Sequence, residues 1–302
     1  MSRLPGRETD RSSTIRAWMV GARPRTLVAA IVPVAVGISL ALESGLFHAF
    51  PAGLCLLFAM LVQVATNFAN DYFDARKGAD TPERLGPVRA VASGLIAPSA
   101  MLRATILVLF LAFLIGLGLL PHGGWRLLVV GVASLVLAVV YTGGPFPLAY
   151  LGLGDIFVVF FFGLVAVGFT YFVQAGEFSR DAWVAGFAVG LIVNNLLVVN
   201  NYRDVAGDRK VGKKTLAVRL GRPFSIWQLK LQSLGACFCL AWINVVPSWY
   251  WMLPMLILGI ESFRVSRLMS HAVSPQEFNV CLGITARMIP LYGILLCIGI
   301  LT

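Results

Sequence analysis

Charge is scarce in this 302-residue chain: Asp, Glu, Lys and Arg make up 13% of it, where soluble domains carry about 25%. Against 58% hydrophobic residues and a mean hydropathy of +0.84, that scarcity excludes a soluble globular enzyme and a disordered chain, leaving an integral membrane protein. Cysteine is sparse too. Cys55, Cys237, Cys239, Cys281 and Cys297 lie scattered in apolar stretches without metal-ligand spacing, so no disulfide framework is expected and the thiols read as small packing groups. A cleavable leader is not expected either, because the arginine-rich first 25 residues run into membrane-type sequence rather than a processing site. Acidic residues are the rarest charge, 14 against 24 basic, for a net charge of +10.

What is abundant is long uncharged sequence. A spanning helix needs roughly 20 apolar residues, and the spacing of charges and of Pro247 predicts nine helices near 24–42, 51–72, 103–120, 125–141, 153–173, 182–202, 226–245, 248–268 and 283–301. Loop parity supplies an independent check, since cytoplasmic loops collect Lys and Arg. The N-terminal tail and the even-numbered connections hold 22 of the 24 basic residues, leaving only Arg126 and Arg180 on the other side. The N-terminus is therefore expected in the cytoplasm. The basic charge is explained by orientation, and nucleic acid is not needed as a partner. The expected organisation is a tail over 1–22 and one transmembrane domain over 23–302, capped on the cytoplasmic face by loops 73–102 and 203–225. Both loops are long and rich in both signs of charge, as working loops on a rigid scaffold tend to be.

The same pattern closes two of these helices. Asn70-Asp71-Tyr72-Phe73-Asp74 and Asn200-Asn201-Tyr202-Arg203-Asp204 lie 130 residues apart, a weak parallel repeat. Asn67, Asp71 and Asp74 fall at i, i+4 and i+7, and Asn200, Asp204 and Asp208 at i, i+4 and i+8, each set on one helical face. Bringing like charges together at a membrane edge is costly unless a cation sits between them. Mg²⁺ fits, because it is typically held by one or two carboxylates with water and substrate phosphate completing its shell. The pattern thus points to a metal–diphosphate complex, with Arg76, Lys77, Arg84, Arg89, Lys213 and Lys214 available to diphosphate oxygens and Lys213-Lys214 favoured. The turn Tyr141-Thr142-Gly143-Gly144-Pro145-Phe146-Pro147 shares that face, as does Asp155, which suits a helix cap as well as catalysis. Gly186 and Gly190 mark a close helix contact, within the chain or between chains, and the oligomeric state stays open.

Together these blocks resemble the UbiA-type superfamily of intramembrane aromatic prenyltransferases from about Trp18 onward. They are most similar to the branch that acts on 1,4-dihydroxy-2-naphthoate. The carrying residues are Arg23-Pro24-Arg25-Thr26-Leu27, the first acidic motif with Gly78-Ala79-Asp80 and Arg84-Leu85-Gly86-Pro87-Val88-Arg89, the turn at Tyr141, and the second motif through Gly212-Lys213-Lys214-Thr215. Two departures stand out. Gly78 occupies the place where many relatives carry a third acid, so Asp80 is the substitute, and the basic residue that follows the turn tyrosine in hydroxybenzoate-type relatives is missing.

The resemblance implies a UbiA-like bundle around a central cavity and a polyprenyl diphosphate whose tail lies between helices. Asp71, Asp74, Asp204 and Asp208, with Asp80 as a further candidate, would hold two Mg²⁺ ions bridging the diphosphate, assisted by Lys213 and an arginine. Asn67, Asn70, Tyr72, Arg76, Lys77, Arg84, Arg89, Tyr141, Asn200, Asn201 and Lys214 would bind substrate. Tyr72, Phe73 and Tyr141 would shield the allylic cation, and Arg84 or Arg89 would orient the naphthoate carboxylate that leaves as CO₂. The alternatives are a sister prenyltransferase acting on hydroxybenzoate, homogentisate, a tetrapyrrole or a lipid, and more remotely a transporter. A transporter's sites usually lie nearer the bilayer midplane.

Overall fold

The computed structural model describes residues 8–80, 85–247 and 249–302, with side chains from residue 13 onward. Among these residues every regular element is helical. α1 (Glu8–Ala22) turns through a short 3₁₀ segment, Pro24–Thr26, into α2 (Val28–Glu43), followed by α3 (Ala49–Arg76), α4 (Pro98–Leu117) and α5 (Trp125–Val140). α6 (Gly154–Val158) continues through a π-helical segment, Val159–Val165, into α7 (Ala166–Ala175). Then come α8 (Arg180–Lys210), the short α9 (Leu216–Leu220), α10 (Arg222–Leu240), α11 (Met252–His271) and α12 (Pro275–Leu301).

Each apolar segment read from the sequence falls on a helix, but membrane-crossing length and apolarity select fewer. Among the described residues five helical stretches meet both: Ala49–Arg76, Pro98–His122, Gly154–Ala175, Arg180–Lys210 and Pro275–Leu301. Ser13–Thr26 and Val28–Glu43 meet them only as a pair bent by 44°. α5, at 16 residues, rises only about 24 Å. α10 carries Arg222 and Lys230, and α11 carries Glu261, Arg264 and Arg267.

Polarity is turned inside out, as a lipid solvent demands. Leu107, Phe110, Val129 and Val136 are exposed, while Asp155, Asn194, Asn195 and Ser233 are buried. Asn194 Nδ2 and Gln228 Nε2 donate to Asp155 Oδ1 at 3.0 and 2.6 Å, and Asn195 Nδ2 donates to Ser233 Oγ at 3.0 Å. Asp155 therefore ties α6 to α8 and α10. It caps no helix, since the α6 cap is Leu153 with no side-chain bond. The glycine contact lies within the chain: a Cβ on Gly163 would fall on the Gly186 carbonyl oxygen, and one on Gly190 would stand 2.6 Å from Val159 O. These glycines let α8 seat directly on the π segment.

Two expected boundaries move. The stretch assigned to a tail is helical from Glu8, and α1 packs Ala17 and Trp18 on α3, with the Trp18 and Phe68 rings 5.6 Å apart. α3 and α8 run past residues 72 and 202 to Arg76 and Lys210, so Asp74, Asp204 and Asp208 sit on helix rather than loop. Hydropathy marks where lipid ends, whereas charged residues continue a helix without penalty.

Candidate active site

α3 and α8 bring the two acidic repeats to one end of the bundle, beside the mouth of a cavity of about 340 Å³. The first asparagine of each repeat, Asn70 and Asn200, lines that cavity, as do Asn67 and Tyr141. Below this polar rim the walls are apolar and aromatic, from Phe58, Phe157, Phe161, Phe162 and Phe169. Thr142 Oγ1 donates to Asn70 Oδ1 at 2.7 Å and Lys77 Nζ donates to Thr142 O at 2.6 Å, which fastens the 141–147 turn to α3.

The charged centre forms around Asp74. Lys213 Nζ lies 3.3 Å from Asp74 Oδ1 and 4.0 Å from Asp208 Oδ1, so one ammonium bridges the two repeats. Arg89 Nη2 is 3.8 Å from Asp74 Oδ2 and its Nε 3.3 Å from Asp80 Oδ1, which draws Asp80 into the cluster. Tyr150, which the sequence reading missed, donates its hydroxyl to Asp74 Oδ1 at 3.2 Å. Lys77 and Lys213 stand 4.4 and 4.8 Å from its ring centre. Burial, then the negative charge of Asp74, pushes the Tyr150 phenol above its usual value, so it stays a proton donor. Asp204 is gripped in a bidentate pair by the buried Arg203, at 2.7 and 2.6 Å.

Several expected site residues lie outside this charged cluster in the structure or beyond the described residues. Asp71 is fully buried. Ala90 N donates to its Oδ2 at 3.1 Å, Val91 N to its Oδ1 at 3.0 Å, and Arg23 Nη2 lies 3.9 Å from Oδ2. Both Asp71 oxygens anchor the loop before α4 in this arrangement. Tyr72 packs with α1 and Met101 and does not line the cavity. Arg76 is exposed and donates to the Tyr72 hydroxyl at 3.0 Å. Lys214 projects an exposed side chain while its N–H donates to Tyr150 O at 2.9 Å. Phe73 lies against Gly143 instead of the cavity. Asn201 is half-buried and does not line the cavity. Arg84 lies outside the described residues.

Among the described residues no three Asp, Glu, His or Cys side chains converge as a preformed metal site. The donor set still suits a hard divalent cation at Asp74 and Asp208, where hard carboxylate oxygens already gather round the positive charge of Lys213. Diphosphate would bring the remaining oxygens.

Residues 30–298 match the UbiA prenyltransferase family. A 1,4-dihydroxy-2-naphthoate octaprenyltransferase of Escherichia coli (strain K12) is 34% identical over 297 residues, covering 95% of this chain and 96% of that protein. The Mycobacterium tuberculosis protein of that name is 40% identical over 204 residues, covering 68% and 70%. A solved UbiA homolog from Archaeoglobus fulgidus, bound to DMAPP and Mg²⁺, shares the fold with a TM-score of 0.66 at 16% identity, over 93% of this chain and 98% of that one. The chain belongs to the UbiA prenyltransferase family.

Proposed function

We propose that the protein transfers a polyprenyl group from polyprenyl diphosphate to 1,4-dihydroxy-2-naphthoate, releasing CO₂ and diphosphate and giving demethylmenaquinol in menaquinone biosynthesis. The similarity to naphthoate octaprenyltransferases along nearly the whole chain carries this reading. The cavity agrees with it, with a polar mouth for a charged head and an aromatic channel for an isoprenoid tail. The site lies at one end of the bundle, which suits an enzyme meeting a cytoplasmic substrate better than a transporter.

The chemistry follows from where charge develops. As the allylic C–O bond breaks, negative charge builds on diphosphate, and Lys213 and Arg89 stand where they can stabilise it. Asp74 and Asp208, with Asp204 a helical turn away, would hold Mg²⁺, two ions in the fullest reading, and the metal would neutralise diphosphate as it leaves. Tyr150 holds Asp74 in place by donating to it. The aromatic walls exclude water from the allylic cation. The electron-rich ring then attacks through carbon. That carbon loses its carboxylate as CO₂, whose bonding electrons return to the ring.

The full proposal places nine helices across a bacterial cytoplasmic membrane in a single domain, with the acidic end cytoplasmic. The loop distribution of Lys and Arg supports it. The test is detergent-solubilised protein given the naphthoate, a polyprenyl diphosphate and Mg²⁺, with product read by mass. A prenylated, decarboxylated product that disappears with chelator is expected. Transfer to 4-hydroxybenzoate instead would overturn the acceptor, and no transfer to any ring would overturn the enzyme reading.

A further inference from the structure

Arg23 is the one charged residue among the described residues that line the cavity. The other polar liners, such as Thr26, Gln63, Asn67 and Asn70, are neutral, and the diphosphate-facing cations Lys213 and Arg89 belong to the cluster outside it. Its backbone is unusual as well. With φ of 52° and ψ of 66°, Arg23 is the single non-glycine residue at positive φ among those described, a conformation that persists only where the surroundings impose it.

Those surroundings are a small amide and hydroxyl network. Thr26 Oγ1 donates to Arg23 O at 2.9 Å, and Asn67 Nδ2 donates to Ala22 O and to Thr26 Oγ1, both at 2.9 Å. Gln63 Nε2 donates to Thr26 Oγ1 at 3.2 Å and to Asn67 Oδ1 at 3.3 Å. The chain is thus held in a strained turn that keeps an arginine at the cavity, and the side chain remains 25% accessible. Asp71 steadies it at 3.9 Å.

We infer that Arg23 recognises the carboxylate of the aromatic acceptor inside the cavity, an inference that rests on the acceptor reading above. A guanidinium presents paired N–H donors that match a carboxylate, and it stands apart from the cations that serve diphosphate. This replaces Arg89, which is occupied with Asp74 and Asp80 and does not line the cavity.

The test compares wild type, Arg23→Gln and Arg23→Lys with the naphthoate as acceptor, alongside 1,4-dihydroxynaphthalene, which lacks the carboxylate, as a competitive inhibitor. Arg23→Gln should raise acceptor KM by about tenfold or more, the scale of a lost hydrogen bond to a charged group. The KM for prenyl diphosphate and the inhibition constant of the carboxylate-free analogue should stay unchanged, and Arg23→Lys should recover part of the acceptor affinity. An unchanged acceptor KM would overturn the inference. So would a rise in prenyl-diphosphate KM, which would assign Arg23 to diphosphate, or an equal loss of affinity for the analogue, which would mark a structural role. A wild-type protein inert toward the naphthoate would sink the acceptor reading first and this inference with it.

Discussion

Lys213, on the loop behind α8, places its ammonium 3.3 Å from the carboxylate of Asp74 at the end of α3. This contact joins the two halves of the repeat, because the same nitrogen also approaches Asp208 at 4.0 Å. A cation between two acids is well placed to hand its charge to an incoming diphosphate.

Lys213→Met should therefore fold but lose about a hundredfold or more in kcat, on the scale of removing one donor to a developing oxyanion. Lys213→Arg should retain part of the rate. Steady-state kinetics in detergent, with circular dichroism as the folding control, check this. A Lys213→Met protein with wild-type kcat would remove the residue from the reaction.

Asp71 and Asp74 should separate by phenotype, although they stand three residues apart. Asp71→Ala leaves the Ala90 and Val91 amides unpaired in a buried site, a cost of about 1–3 kcal/mol per group, so its thermal midpoint should drop clearly. Asp74→Asn keeps the shape and should keep the midpoint while losing Mg²⁺-dependent turnover. Thermal unfolding and Mg²⁺ titration of activity decide it, and an Asp71→Ala protein as stable as wild type would refute the anchoring role.

That separation marks how far the sequence could be read. Spacing placed Asn67, Asp71 and Asp74 on one face, and helix geometry does keep them near one another. A 100° step per residue is too coarse to say which carboxylate meets Lys213 and which meets a loop twenty residues on. The donors of such long-range bonds, the Ala90 and Val91 backbone N–H groups among them, carry no signature of their own. Tyr150 was invisible for the same reason, being an unremarkable tyrosine until the 141–153 turn folds over α3. Lys213, by contrast, was legible because Gly212-Lys213-Lys214-Thr215 follows an acidic repeat, although only folding shows that Lys213 turns inward and Lys214 outward. The helices were legible from hydropathy, while their ends were not, since α8 continues about two turns past its expected end at residue 202.

Tyr150→Phe removes the hydroxyl that donates to Asp74. A hydrogen bond to a carboxylate contributes about 1.5–3 kcal/mol to stability, so the unfolding midpoint should fall, and kcat should fall with it as Asp74 loses the bond that positions it. The direction of its ionisation supplies a second check. Burial and Asp74 raise the phenol above its usual value, so the neutral form persists as pH rises and the wild-type rate should show no loss attributable to this group up to about pH 10. A basic limb near pH 10 that disappears in Tyr150→Phe would contradict this.

The glycine seam between α8 and the π segment should prove equally exacting. A methyl on Gly163 would collide with the Gly186 carbonyl, and one on Gly190 would sit 2.6 Å from Val159 O. Both obstacles are backbone and neither can swing aside. Overpacking of this kind costs about 1–3 kcal/mol, more than the roughly 1 kcal/mol that alanine gains over glycine in a helix. Gly163→Ala and Gly190→Ala should therefore lower the unfolding midpoint. Gly207→Ala, on the same α8 with nothing within 4 Å of its added methyl, should hold or raise it. Because the π segment carries Phe161 and Phe162 onto the cavity wall, pushing it away from α8 should also raise the KM for prenyl diphosphate. Thermal unfolding of the three variants beside their KM values tests both links. Gly163→Ala and Gly190→Ala proteins indistinguishable from Gly207→Ala in stability would show that the seam has room to spare.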